Sequence, residues 1–136
     1  MTGESSPTEV FRRLIDGISS GRWVDLADLY AEDAVVDMPM HPQRVHIEGR
    51  SVVRQHFAAA QRGPVALRAR NVVVHTTTDP EVVIAEFEYD GLNRATGKAF
   101  TVANVQVLRV RDGVIVATRD YHDHAGIASS HNPDSD

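Results

Sequence analysis

The sequence predicts an α+β domain in which three N-terminal helices pack on one face of a curved antiparallel sheet. Three observations carry this reading. Apolar residues recur at helical spacing through the first half of the chain, whereas Val, Thr, Phe and Tyr concentrate in the second half. Asp79-Pro80, the Asp90-to-Gly97 loop and Asp112-Gly113 then divide that second half into hairpin-length segments. A chain of 136 residues fits one domain, with an ordered core over about 8–127 and a polar tail over 128–136.

Pro7-Thr8-Glu9 opens the first helix, with Ser5, Ser6 or Thr8 as the cap. Val10, Phe11, Leu14, Ile15 and Ile18 form its apolar face, and Ser19-Ser20-Gly21 ends it. Trp23, Leu26, Ala27, Leu29 and Tyr30 mark a shorter second helix, with Trp23 sealing helix against sheet and Asp33 holding the turn that follows. Ala34–Met38 reads as a strand stopped by Pro39 and Pro42. A loop carrying His41 and His46 leads to Gly49. Val52, Val53, His56, Phe57 and Ala60 share one side of a third helix, which Gly63-Pro64 breaks. Leu67–Thr77, Val82–Tyr89, Lys98–Arg111 and Val114–His124 form a four-strand antiparallel meander. The tail from Ala128 to Asp136 is polar and expected to fray.

Composition removes several functions. The chain has no cysteine, so disulfides and thiolate metal sites are excluded. The formal net charge of -5 and the scattered arginines disfavour nucleic acid as a partner. No apolar run approaches the roughly 20 residues of a membrane span, and MTGESSPTEV lacks the order of a signal peptide. A cytoplasmic protein is the expectation. No nucleotide-binding glycine motif is present, and no cofactor is expected.

Four strings, in order, carry a resemblance that spans roughly residues 8 to 125. They are Trp23…Leu26…Leu29-Tyr30-Ala31-Glu32-Asp33-Ala34, Ile47-Glu48-Gly49-Arg50…Phe57, Asp112-Gly113-Val114-Ile115, and Arg119-Asp120-Tyr121-His122-Asp123. The sequence resembles the SnoaL-like polyketide cyclases and ketosteroid-isomerase-like proteins of the nuclear-transport-factor-two-like superfamily. The resemblance implies a cone-shaped, cystatin-like roll with an internal ligand pocket.

Alternate residues of a strand share a face. The last strand divides into Val114, Val116, Thr118, Asp120, His122 and the set between them; its neighbour divides into Phe100, Val102, Asn104, Gln106, Leu108 and their alternates. Periodicity leaves open which set is inside. The resemblance implies that the Asp120 and Asn104 sets point into the cone, with Val83, Ala85, Phe87 and Tyr89. Met38, Phe57, Phe87, Tyr89, Phe100, Val102, Leu108 and Thr118 would then contact substrate, and His41 would stand at the rim.

Asp120 is the leading chemical candidate, because a carboxylate in an apolar cavity has a raised pKa suited to proton transfer. His122 would share or relay the proton, and Asn104 and Gln106 would hold a developing enolate oxygen. The resemblance places the acid/base aspartate of the cyclases on Asp120. The competing reading pairs Asp120 with Arg119 or a cross-strand arginine as surface charge. Sister families transfer less well. The base aspartate, tyrosine and oxyanion-hole acid of the ketosteroid isomerases fall on Met38, Leu14 and Gln106. The water-activating aspartate of limonene-epoxide-hydrolase-like enzymes matches Asp120, but its partner arginine and second aspartate fall on Phe87 and Tyr89.

No histidine pair shows the i, i+4 spacing of helix-borne metal ligands, so no metal is assigned to His41, His46, His122 and His124. His56 reads as a boundary residue, and His75 fits either face of its strand. Val105, Val107 and Tyr121 would form an outer sheet face that pairs two copies, with cross-strand ion pairs among Glu86, Glu88, Arg109 and Arg119. The expectation is a homodimeric, cofactor-independent acid/base enzyme of the cyclase, isomerase or lyase type, acting on a small hydrophobic carbonyl compound. The alternatives are a non-catalytic module that holds a hydrophobic ligand, and a hydrolase that activates water with Asp120.

Overall fold

The first helix, α1 (Pro7–Ser20), begins where the sequence places it. Ser6 caps it in a reciprocal capping box with Glu9, and Pro7 fills the first helical position, where its missing N–H costs nothing. Gly21 ends it in the left-handed region at φ 80°, where a side chain would be strained. The computed structural model describes residues 5–132. Val10, Phe11, Leu14, Ile15 and Ile18 are buried on the sheet side of α1, and burial of one such side chain contributes about 1.5–3 kcal/mol.

The expected second helix is a 3₁₀ turn over Val24–Leu29, tied down by Trp23, whose Nε1 donates to the Ile18 carbonyl at 2.8 Å. Tyr30 belongs to the strand that follows. Strand β1 (Tyr30–Met38) starts four residues earlier than expected because Tyr30 pairs with Ile115 across a register shift before Val35. The segment carrying His46 is also a strand, β2 (Val45–Glu48), paired antiparallel with β1. Helix α2 (Arg50–Arg62) follows; Val53 is buried, while Val52 is exposed.

The meander forms as expected from β3 (Val65–Thr76), β4 (Val82–Asn93), β5 (Lys98–Arg111) and β6 (Val114–His122). Asp112 and Gly113 take φ of 54° and 78°, the paired positive values of a tight hairpin turn. The curved, unclosed sheet runs β2-β1-β6-β5-β4-β3. It departs from the all-antiparallel expectation at one pairing, since β1 lies parallel to β6. The last strand ends at His122, and Asp123 caps a further helix, α3 (His124–Ser129), by accepting from the Gly126 N–H at 2.9 Å. Ala128 to Asn132 therefore do not fray: Ser130 is fully buried and Thr96 donates to its carbonyl at 2.8 Å. The part of the expected tail over 133–136 lies outside the described residues.

Burial settles which face is inside. Val102, Asn104, Gln106 and Leu108 on β5, and Thr118 and Asp120 on β6, are buried, as are Val83, Ala85, Phe87 and Tyr89 on β4. The parity fails at one end of β6. Ile115 is fully buried instead of Val114 and Val116, because the β5–β6 register shifts between Arg109 and Val110. On the outer face Val105, Val107 and Tyr121 are half-buried. The ion pairs differ from those expected: Glu88 meets Arg70, Glu86 meets His75, and Arg109 reaches Glu81 and Asp79.

Candidate functional site

Between the inner sheet face, the N-terminal helices and α3 lies a cavity of about 380 Å³, within the size range of small-molecule sites. Four elements of the sheet bring its polar groups together. Strand β6 contributes Asp120 and His122, β5 contributes Gln106, β4 contributes Tyr89, and β1 contributes Tyr30. The rest of the wall is mostly apolar, including Leu14, Ile18, Trp23, Val36 and Met38.

Asp120 is 6% exposed and points inward rather than to an arginine, which removes the surface-charge reading. Gln106 lies directly across the strand pair and its Nε2 donates to Asp120 Oδ1 at 2.8 Å. The other oxygen, Oδ2, faces His122 Nε2 at 4.0 Å, too far for a hydrogen bond. His122 is turned by its second nitrogen: Nδ1 lies 2.9 Å from Asn104 Oδ1. Asn104 Nδ2 points to the Val102 carbonyl at 3.4 Å, so its oxygen is the acceptor and His122 Nδ1 carries the proton. In the neutral ring, Nε2 is then left as a free base toward Asp120.

Burial drives the electrostatics. It raises the Asp120 pKa above its ordinary 3.8, while the His122 charge, the Gln106 hydrogen bond, Thr118 and His56 pull it back. Burial also lowers His122, against the upward pull of Asp120. Each partner is moved toward its neutral form, a pair that exchanges one proton at low cost. Thr118 Oγ1 lies near enough to favour the Asp120 charge but makes no hydrogen bond of ordinary geometry to a described residue. Burial and the Asp120 charge push Tyr30 and Tyr89 well above the usual phenol range, so both keep their protons.

The structure gathers Met38, His41, Phe57, Tyr89, Gln106, Asp120 and His122 around the cavity, and it places the remaining expected residues elsewhere. Phe87 packs between the Phe11 and Tyr89 rings at 5.6 and 5.2 Å. Phe100 lies over Gly91 of the paired strand, where an added Cβ would meet its ring at 2.2 Å. Val102 is covered by Gly126 of α3, and Leu108 is sealed in the core. Thr118 and Asn104 stand behind Asp120 and His122 rather than in the wall. Asn104 and Gln106, expected to hold the oxyanion, are engaged in orienting His122 and Asp120, which uses one of the two N–H groups of the Gln106 amide.

Tyr30, Trp23, His56, His124 and His131 line the cavity without having been expected there. The signal for His56 was present, since Val53, His56, Phe57 and Ala60 share one helical face and all four reach the wall. His41, His122 and His124 form a ring series, with His41–His124 at 4.8 Å and His122–His124 at 5.6 Å. His124 Nε2 is buried without a partner among the described residues. Among the described residues no three His, Asp or Glu side chains converge as metal ligands would. His46 is remote from this cluster, bonded on the β1–β2 edge to Asp37 and Glu48.

A family model described as the SnoaL-like domain matches residues 11–118. The chain belongs to the SnoaL-like domain family. The resemblance carried by the four sequence strings therefore holds. The uncharacterised YesE protein of Bacillus subtilis is 31% identical over 101 residues, covering 73% of this chain and 67% of that one. A crystal structure of an isomerase candidate from Bacillus subtilis superposes with a TM-score of 0.86 at 24% identity, covering 94% of each chain. A polyketide cyclase candidate from Xanthomonas campestris pv. campestris gives 0.77 at 20% identity, covering 91% of this chain and 95% of that one. At these identities the structural likenesses show the nuclear-transport-factor-two-like fold and leave the chemistry to the residues of this SnoaL-like chain.

Proposed function

We propose that this SnoaL-like protein is a cofactor-independent acid/base catalyst of the cyclase, isomerase or lyase type, acting on a small hydrophobic carbonyl compound held in the cavity. The observation that carries the reading is the opposition of Asp120 Oδ2 and His122 Nε2 across 4.0 Å, each held by an amide on its far side. A substrate hydrogen presented to Asp120 Oδ2 would lie beside His122, between two groups each moved toward its neutral form. The names carried by the solved neighbours, an isomerase candidate and a polyketide cyclase candidate, agree with such a role.

In this reading ionised Asp120 takes a proton from the carbon next to the carbonyl. The C–H electron pair becomes the new C=C bond and the carbonyl π pair moves to oxygen, giving an enolate. Asp120 then returns the proton to a different carbon, or the enolate carbon closes on a second carbonyl whose oxygen takes it. His122 tunes the carboxyl, which has returned its proton and is ionised again when the product leaves. The apolar wall excludes water that would quench the enolate.

The test is hydrogen exchange in deuterium oxide, followed by proton NMR on a panel of aryl ketones and β-diketones. The wild-type protein should wash deuterium into the α-position, and Asp120→Asn should reduce that rate by about 10²–10⁴-fold while ligand affinity stays within about tenfold. Exchange that is absent, or that survives in Asp120→Asn, overturns the catalytic reading and leaves a binding module.

A further inference from the structure

Asn104 and Gln106, offered by the sequence for holding the substrate oxygen, are tied to the acid/base pair. Gln106 donates to Asp120, and Asn104 is fixed between His122 and the Val102 carbonyl. Two other hydroxyls remain in the wall. Tyr30 is 3% exposed and Tyr89 is 6% exposed. Both line the cavity, and neither phenol has a hydrogen-bond partner among the described residues. Neither oxygen is among the fully enclosed unpaired atoms, which are Thr118 Oγ1 and His124 Nε2, so each keeps some access, and an unpaired hydroxyl on an apolar wall calls for an explanation.

The sheet order supplies one. Tyr30 stands on β1 and Tyr89 on β4, on either side of the β6–β5 pair that carries Asp120 and Gln106. The Tyr30 ring packs 6.0 Å from Phe57 and the Tyr89 ring 6.4 Å from His122, so both phenols are borne by rings packed against neighbouring rings. We infer that Tyr30 and Tyr89 together receive the carbonyl oxygen of the substrate, flanking the carboxylate that removes its α-proton. The inference rests on the acid/base reading above and specifies the ligand: a compound whose one buried polar atom is a ketone-type oxygen set on an apolar frame.

The role requires donors that do not give up their protons. Burial and the Asp120 charge hold both phenols protonated. As the α-proton passes to Asp120 and the π pair moves onto oxygen, the two O–H groups strengthen their hydrogen bonds to the growing enolate without transferring a proton. Two donors on one oxygen also discriminate against the isosteric hydrocarbon, which would leave both hydroxyls unpaired.

The test uses two probes of nearly equal shape, 2-acetylnaphthalene and 2-ethylnaphthalene, with binding read from the fluorescence of Trp23, the one tryptophan of the sequence and a cavity residue. The ketone should bind the wild type about tenfold more tightly, or about 1.4 kcal/mol, and its carbonyl stretch should move to lower wavenumber on binding. Tyr30→Phe and Tyr89→Phe, which keep the rings and remove only the oxygens, should each reduce the preference and shift the stretch back. Binding of 2-ethylnaphthalene should persist or tighten, since each variant has one hydroxyl fewer to leave unpaired, which reports an intact cavity. Equal affinity of the wild type for the two probes, or a preference and stretch indifferent to both substitutions, overturns the inference while the cavity stands as a ligand site. Binding of neither probe to the wild type removes the ligand-site reading and the inference with it.

Discussion

Asp120 Oδ2 and His122 Nε2 face one another at 4.0 Å across the inner surface of the sheet, and the amides of Gln106 and Asn104 hold the opposite ends of the two groups. The arrangement follows from strand alternation. Residues 120 and 122 share the inner face of β6, and their direct partners across β5 are Gln106 and Asn104. Each reactive side chain thus has its own orienting amide at the same level of the ladder.

Burying Asp120 should cost stability as pH rises. Its folded pKa is raised, so the folded state binds more protons than the unfolded chain; the contribution is fully present below the unfolded value and is lost as pH climbs through the folded one. Asp120→Asn removes this dependence. Thermal unfolding of the two proteins should give similar midpoints near about pH 3, with the variant the more stable of the two at neutral pH. The lowered His122 pKa acts in the opposite sense, being lost as pH falls below about 6.5. The Asp120 charge raises it in the wild type alone, so the two proteins are compared at neutral pH, above that titration, and at about pH 3, where the carboxyl is protonated. A variant that is less stable at neutral pH would contradict the assignment.

Glu81 should protect the fold against acid. Arg111 and Arg109 contact its carboxylate at 2.8–3.0 Å and hold its pKa at about 2 against an ordinary 4.5. Its contribution is present above 4.5 and is lost as pH falls toward about 2. Glu81→Gln should leave unfolding at about pH 2 unchanged and lower the midpoint at neutral pH. The group is half-buried and reached by solvent, so raising the salt concentration should shrink the difference.

Much of this was legible in the chain. Asp112-Gly113 specified its hairpin, and the alternation on β5 put Val102, Asn104, Gln106 and Leu108 on one buried face. Strand β2 was not legible, because Val45–Glu48 is short, follows two prolines and is made strand-like only by pairing with β1. Tyr30 read as helix because its apolar spacing continues that of Leu26 and Ala27, yet its backbone pairs with Ile115, a partner 85 residues away in sequence. Alternation also cannot see a bulge, which is why Ile115 took the inner place expected of its neighbours. The expected wall was too long for a similar reason: Phe100 and Leu108 lie on the correct face but beyond the reach of the cavity. Asn104 and Gln106 were found by parity, but their hydrogen bonds, and hence their roles, depend on the side chains opposite.

Gly17 should gain nothing from a side chain. It sits inside α1 against the 3₁₀ turn, and an added Cβ would lie 2.2 Å from Leu26 Cδ2. Alanine improves helix propensity by about 1 kcal/mol, but the clash falls on a core leucine that is 6% exposed, and overpacking costs about 1–3 kcal/mol. Gly17→Ala should therefore be neutral to about 2 kcal/mol destabilising in chemical denaturation. Gly21→Ala, with open space around it but φ of 80°, should also destabilise the protein, through strain rather than contact.

Asn104 should act on the reaction only through His122. Its oxygen accepts from Nδ1 and so keeps Nε2 as the nitrogen that faces Asp120. Asn104→Leu keeps the side-chain size and deletes the acceptor; nitrogen NMR should then show His122 losing its single tautomer, with its pKa falling further below the ordinary 6.5 as the buried cation loses its hydrogen bond. Asn104→Asp retains an acceptor and adds a negative charge, so it should restore the tautomer and move the pKa upward. Deuterium exchange into an α-position should slow by roughly tenfold or more in the leucine variant and recover in part in the aspartate variant. A purely structural role for Asn104 would instead lower stability in both and leave the His122 tautomer and pKa where they are.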